Sequence, residues 1–277
     1  APFNYRHLHY FWVVAKEGGM SRAADKLDMA VQTVSAQVRE LERSLGYELL
    51  KPAGRGVVLT EAGQAAMRQA DQIFQLGEEL PARVRDAVSA PSVRLATGIS
   101  DGLPKLVVHH LLQPVLGEPN LRLLCHEGEM DDLLGDLALH RLDVVLADRP
   151  APSNPNIKLY SHALATSPIA WYGTPEQVKA ARRKFPHSLG DVPVLLPTAH
   201  NSLRARLDHW FESHDIRPRV VGEFEDSALL KTFGAGGMGL FPAAEWVHEH
   251  LLTHYAVQRL GACDGVLEHF YAIGTER

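Results

Sequence analysis

The sequence predicts an α/β protein with a small helical unit at its N-terminus, and three observations carry that expectation. Residues 1–60 hold three short helical patterns followed by a hairpin rich in Pro and Gly. Residues 60–90 hold one long pattern with apolar residues at steps of three and four. Beyond Pro91 the texture changes to short β runs: VRLATG, LRLLCHE, LDVVLAD, IAWYG, VPVLLP, RVVGEF, GLFP and HFYAIG. These alternate with helical stretches near 103–112, 130–139, 202–214, 226–235 and 243–250, the signature of a mainly parallel sheet with covered faces.

Composition narrows the class. A 277-residue chain is long enough for two or three compact units, and 45% hydrophobic with 22% charged residues is the balance of a globular protein with a real core. No apolar run is long enough to span a bilayer, so no membrane partner is expected. The opening APFNYRHLHYF lacks the basic-then-apolar order of a secretory signal. Cys125 and Cys263 lie far apart without metal-like spacing, so the expectation is a cytoplasmic protein with two free thiols. The net charge of −5 argues against a protein that coats nucleic acid by bulk charge. Residues 1–60 nevertheless carry eight cations against six anions, which leaves seven excess negative charges in the remainder.

The first helix is expected over 5–17, with Leu8, Phe11, Trp12 and Ala15 on its apolar face and Gly18-Gly19 ending it. Ser21 is the expected cap of a second helix over 21–28, where Ala23, Ala24 and Leu27 make a small, packable face. A third helix over 32–45 repeats Val34, Val38, Leu41 and Leu45 at steps of four, three and four. Gln32, Thr33, Ala36, Arg39 and Arg43 fall on its opposite side, small and polar first and cationic further along. A helix entering the major groove needs that layout, with amides and hydroxyls for base edges and arginines for phosphates. Periodicity alone favours an ordinary amphipathic surface helix. ELLKPAGRGVVLT then reads as a wing with Lys51 and Arg55 at its tip, where they can reach a phosphate or the minor groove.

In the long pattern that follows, Thr60 is a plausible N-cap, and Ala66, Ala70, Ile73, Gly77, Leu80, Val84 and Ala87 keep a period near 3.5. That period implies a helix pair. Pro81 inside it predicts a kink.

Coordinated motifs over the first sixty residues resemble the winged helix-turn-helix of LysR-type transcriptional regulators. The residues that carry the likeness are Ser21, Ala23, Ala24, Leu27, Ser35, Gln37, Leu41, Glu42, Leu45, Gly46, Leu49, Leu59, Thr60, Ala62 and Gly63. Within that family, HLHYFWVVAKEGG, the Gln-Thr pair and KPAGRG are similar to the branch that activates sodium/proton antiporter genes. The chain departs from the family at two points. Ala30-Val31-Gln32 replaces a common Ser-Gln-Pro lead, and Ala36 stands where an arginine often follows the helix serine. Base readout is therefore assigned to Gln32, Thr33 and Ser35 and the DNA backbone to Arg39 and Arg43, with Gln37, Lys51 and Arg55 as further contacts to duplex DNA.

The resemblance also implies a homodimer through the linker helix, a homotetramer beyond it, and an effector domain of two lobes joined by crossing strands, similar to periplasmic solute-binding proteins. The expected boundaries are 1–60 for the DNA-binding unit, 61–90 for the linker and 91–277 for the effector domain. Lobe one covers about 92–160 with 265–277, and lobe two about 162–260.

Open α/β lobes bind ligands beyond the carboxyl ends of their strands, at helix N-termini. Ser100, Asp101, Glu127, Glu129 and Asp148 meet that description in lobe one, and Thr198, His200, Asn201 and Ser202 in lobe two. The family's inducer cleft uses the loop positions matching Ser100, Thr198, Asn201 and Ser202. A carboxylate-bearing metabolite suits hydroxyls and helix N–H groups, whereas a hard cation needs oxygen ligands such as Asp101, Glu127, Glu129 and Asp148. Each also serves plainly as a cap or a solvated loop charge.

His250 and His254 stand at i, i+4 with His248 near, but the HExxH order is absent, and surface histidines are the simpler reading. FGAGGMG joins a helix to a strand, the reverse of a phosphate-cradling order, and no nucleophile elbow or P-loop occurs. No enzyme, cofactor or metal site is therefore expected. The competing reading is a solute-binding protein whose lobes do the work and whose N-terminus is merely helical.

Overall fold

The computed structural model describes residues 2–89 and 92–277. In chain order the elements are α1 (Tyr5–Glu17), α2 (Met20–Leu27), α3 (Val31–Leu45), β1 (Leu50–Ala53), β2 (Gly56–Leu59) and α4 (Glu61–Val88). After the linker come β3 (Val93–Ser100), α5 (Lys105–Leu112), β4 (Leu121–Gly128), α6 (Met130–Ala138), β5 (Val144–Ala147), β6 (Tyr160–Gly173) and α7 (Pro175–Ala181). The chain continues with β7 (Pro193–Pro197), α8 (Ser202–Ser213), β8 (Arg219–Phe224), α9 (Ser227–Ala235), β9 (Phe241–Ala244), α10 (His248–His254) and β10 (Gln258–Gly274). The expected domain boundary at Ala90-Pro91 lies outside the described residues.

Three helices cross around Phe11, Trp12, Ala23, Ala24, Val34, Val38 and Leu41, all nearly solvent-free. Gly18 ends α1 in the left-handed region at φ 76°, as its position after Lys16-Glu17 predicts. The second helix departs from expectation. Gly19 rather than Ser21 is its N-cap, and Asp28 closes it at φ 52°. Thr60 caps α4 as expected, accepting from the Gly63 N–H at 3.0 Å.

The hairpin β1–β2 pairs Leu50 with Leu59 and Ala53 with Gly56, which leaves Arg55 in the turn and sets Lys51 opposite Val58. Arg55 alone of the two is at the tip. Leu49, beneath the wing, donates its N–H to Glu42 of α3 at 2.9 Å, so the wing and the third helix are tied by a charge-assisted bond. The helix α4 continues through Pro81 to Val88.

The apolar stripe of α4 is divided. Ala70 is fully buried, and Ala66 and Ile73 pack against the head core. Leu76, Leu80, Val84 and Val88 are 59–86% exposed. A seam expected from Ala66 onward is thus spent on the head in its first half and unpartnered in its second.

Beyond the linker, one six-stranded sheet runs β4-β3-β5-β10-β6-β9, with β7 and β8 forming a second, two-stranded sheet. The sheet is mixed. The pairs β3–β4 and β3–β5 are parallel, but β10 pairs antiparallel with both β5 and β6. The correction to the mainly parallel expectation has one cause. HFYAIG is only the end of a 17-residue strand, and IAWYG only the end of a 14-residue one. Their polar, irregular first halves hide the strand period. The stretch near 243–250, expected to be helical, is instead the strand β9, one 3₁₀ turn and then α10.

Gly63 marks the tightest point between head and linker. A Cβ there would lie 2.0 Å from the Leu49 carbonyl oxygen. Gly63→Ala is expected to destabilise the head by about 1–3 kcal/mol, read as an earlier thermal transition of α1–α4. An unchanged transition would show that the wing and linker are not held in this register.

Candidate functional site

Two regions bring the proposed site residues together. On the head, Gln32, Thr33, Ala36, Arg39 and Arg43 are all exposed along one side of α3, opposite buried Val34, Val38 and Leu41. Ser35 is half-buried beside them. Arg43 pairs with Glu40 on the same helix, an exposed pair that costs little to break. Gln37 is also half-buried, and its Oε1 is enclosed without a partner among the described residues. Lys51 and Arg55 are exposed on the wing.

The second region lies between the lobes. Ser100, Asp101, Glu127, Thr198, His200 and Asn201 line one cavity of about 260 Å³. Local chemistry explains the placement of each loop. Asn201 caps α8, its Oδ1 accepting from the Leu203 N–H at 2.9 Å. Asp226 caps α9, accepting from the Ala228 and Leu229 N–H groups at 2.7 and 3.0 Å. Those backbone bonds to Leu229 first, then Ala228, and the nearby Lys105 hold the Asp226 carboxyl below its ordinary range.

Asp148 and Ser202 sit beneath the cavity rather than in its lining, with the Ser202 hydroxyl donating to Asp148 at 2.6 Å. Glu129 meets His200 at 2.9 Å. Sequence reasoning missed Lys105, Glu225, Asp226 and Ser227, which also line the cavity. The helix start at Ser227 was the available signal, since it is itself an N-terminus facing the opposite lobe.

The cleft is bridged by the protein's own side chains. His200 reaches Glu129, Asn201 Nδ2 donates to the Gly102 carbonyl at 3.4 Å, and Lys105 stands 3.4 Å from Asp226 and 3.9 Å from Glu127. Four carboxylates line the cavity (Asp101, Glu127, Glu225 and Asp226), against Lys105 and His200. Partial burial, then the neighbouring Glu129, raises Asp101. The local field therefore favours positive charge.

At the cleft floor, Lys231 and Glu268 are 4% and 2% exposed and face a small cavity that shares Asn201, Glu225 and Ser227 with the larger one. Burial pushes Glu268 up to about 7 despite Lys231, and burial lowers Lys231 despite Glu268. A carboxyl raised in the folded state contributes stability that is complete below its unfolded value and lost as pH rises through its folded value. Between pH 4.5 and 7 the protein should therefore lose about 3 kcal/mol that Glu268→Gln does not lose. Parallel urea titrations of both chains across that range would show it, and parallel slopes would refute the assignment.

Among the described residues no helix is long and apolar enough to cross a membrane, and no group of three or more His, Cys, Asp or Glu side chains could hold a metal ion. His250 and His254 stack with centroids 4.8 Å apart.

Residues 5–64 match the family described as bacterial regulatory helix-turn-helix protein, lysR family, and residues 92–273 match the LysR substrate binding domain. The chain is 33% identical to the transcriptional activator protein NhaR of Escherichia coli, over 99% of this chain and 90% of that protein. It is 28% identical to the nitrogen assimilation regulatory protein nac of the same organism, over 86% of this chain and 77% of that one. In fold it is similar to full-length CbnR solved with its target DNA, with TM-score 0.57 and 19% identity over 99% and 94% of the two chains.

Proposed function

The chain belongs to the LysR family of DNA-binding transcriptional regulators with an effector-binding domain, and from that premise we propose how its own residues carry the role. The side of α3 bearing Gln32, Thr33, Arg39 and Arg43 enters the major groove, with Ser35 at its margin. Arg39 and Arg43 hold phosphates, and Gln32 and Thr33 read base edges. The observation that carries this reading is that the polar and cationic side of α3 is exposed while its opposite side is the head core. Arg55 at the wing tip reaches the backbone beside it, with Lys51 behind.

The interlobe cavity is the effector site, and its ligand is cationic in part, because four carboxylates face only Lys105 and His200 there. An amine-bearing metabolite fits this lining better than a simple carboxylate, and the carboxylates are not gathered closely enough to hold a metal ion by themselves. The likeness to the branch that activates sodium/proton antiporter genes supports antiport control as the physiological role. Effector binding acts if the ligand prefers one degree of lobe closure over another.

The unpartnered stripe Leu76, Leu80, Val84 and Val88 supports an antiparallel homodimer through α4, with tetramers built from such dimers. Leu80→Asp is expected to convert the dimer to monomer in sedimentation velocity, and a sedimentation coefficient matching that of the parent chain would remove α4 from the interface.

The groove assignment makes a separate prediction. Arg39→Ala and Arg43→Ala should each weaken binding to duplex DNA and flatten its salt dependence by about 0.9 in the log–log slope. Polarisation titrations at several salt concentrations measure this, and two unchanged slopes would place the phosphate contacts elsewhere.

A further inference from the structure

The helix α6 connects the two sites that the proposed function treats separately. It is nine residues long, about 13 Å from end to end. At its N-terminus, Glu129 is both the N-cap residue and the lobe-one partner of His200 across the cleft, at 2.9 Å. At its C-terminus, Leu139 is fully buried, not in lobe one but among Phe11, Trp12, Met67 and Ala70 of the head.

The contact at that far end is extensive. His140 stacks on Trp12 with planes 17° apart, and its Nε2 lies 3.6 Å from Asp71 of α4. Asp71 also accepts from the Trp12 indole at 2.8 Å and meets Lys16 at 2.9 Å. Burial opposes its charge, but His140, Lys16 and Trp12 together bring its carboxyl down to about 2, so it is ionised throughout the neutral range. One turn earlier on α6, Asp136 pairs with Lys26 of α2 at 3.0 Å, and Lys26 also lies 3.7 Å from Glu17. A Cβ at Gly135 would sit 3.0 Å from the Lys26 ammonium, so the two surfaces meet closely here.

Between these ends α6 cannot bend independently of lobe one. Met130, Leu133, Leu134, Leu137 and Ala138 are at most 6% exposed and pack on Ala96, Val145, Ala147 and Ile273. Close-packed interiors transmit displacement rather than absorb it. The recognition side of α3 meanwhile stays exposed, so docking orients the head without masking it.

From this placement we infer that α6 is a coupling rod: it carries the state of the Glu129–His200 contact in the cleft to the docked head, and so sets the direction in which α3 is presented. The inference rests on the cleft being the effector site, and it adds the route by which that site reaches the DNA-binding surface.

The test uses the full chain with Cys125→Ser and spin labels at Glu48→Cys on the head and Arg122→Cys on lobe one. Labelled chains are diluted into unlabelled ones so that distances are read within one chain. The expected result is one narrow distance, lost in Leu139→Ser and in Lys26→Glu, and recovered when Asp136→Lys is added to Lys26→Glu. Glu129→Gln and His200→Ala should each shift or broaden that distance although neither touches the head. A distribution unmoved by both cleft variants overturns the rod, and one unmoved by Leu139→Ser or Lys26→Glu overturns the docking. A narrow distance found only between chains labelled singly places the head on its partner's lobe and overturns the route within one chain. Binding of the labelled parent to duplex DNA, measured alongside, reports on the regulator reading independently of all three outcomes.

Discussion

The antiparallel ladder between β6 and β10 is the constraint on which the effector half depends. These strands, 14 and 17 residues long, pair from Gln258–Gly173 at one end to Gly274–Tyr160 at the other. Each backbone amide in the ladder must find its partner or bear the cost of burial without one. The two lobes are therefore held at opposite ends of one ribbon, and the cleft opens where the ribbon passes from one to the other. Register shifts between Ala262 and Leu267, and again at Phe270–Tyr271, concentrate the bending there. Glu268 is paired with Ser167 between those two irregularities, which puts a buried carboxyl in the bent stretch of the ribbon.

Charge in the cleft follows from this geometry. The ribbon brings the α5 start and the β3 and β4 ends of lobe one against the α8 and α9 starts of lobe two. Helix starts favour negative charge, and Asp226 fills its own with a carboxylate that caps the backbone. The cavity therefore presents carboxylates from both sides, and the mobile positive charge near them is the Lys105 ammonium, 57% exposed and shared between Glu127 and Asp226. A cationic ligand entering here competes with a tethered lysine rather than with bulk water alone. Its affinity is the difference between two electrostatic terms, and small changes in lobe spacing weigh heavily in such a difference.

Much of this was legible in residue order. Leu8, Phe11, Trp12, Val34, Val38 and Leu41 announce the head core because helical periodicity sorts them to one side, and Thr60 and Gly18 act where capping chemistry places them. The loops bearing Ser100, Asp101, Glu127, Thr198, His200 and Asn201 were legible because ligands collect beyond strand ends, and they share one cavity. What escaped was non-local. Lys231 reads as a helix-surface lysine and Glu268 as a strand-surface acid until the fold buries both. Leu139 belongs by sequence to lobe one, yet its side chain completes the head core, and no period within α6 announces that. Gln37 has the same history in reverse, fitting a DNA-reading motif while its oxygen is enclosed.

The linker helix shows why such a division of labour is physically forced. Its first half must bury Met67 and Ala70 against α1 to complete a head too small for a large core of its own. The same helix then projects Leu76, Leu80, Val84 and Val88 beyond the reach of the head. Four large apolar side chains on one exposed helix are costly in water and become favourable when a second helix covers them. Lobe one meets the helix through Asp71, at the boundary between its two halves. Head packing, lobe docking and the exposed stripe are thus successive uses of one helix, and a shift at Asp71 moves the head relative to whatever covers the stripe.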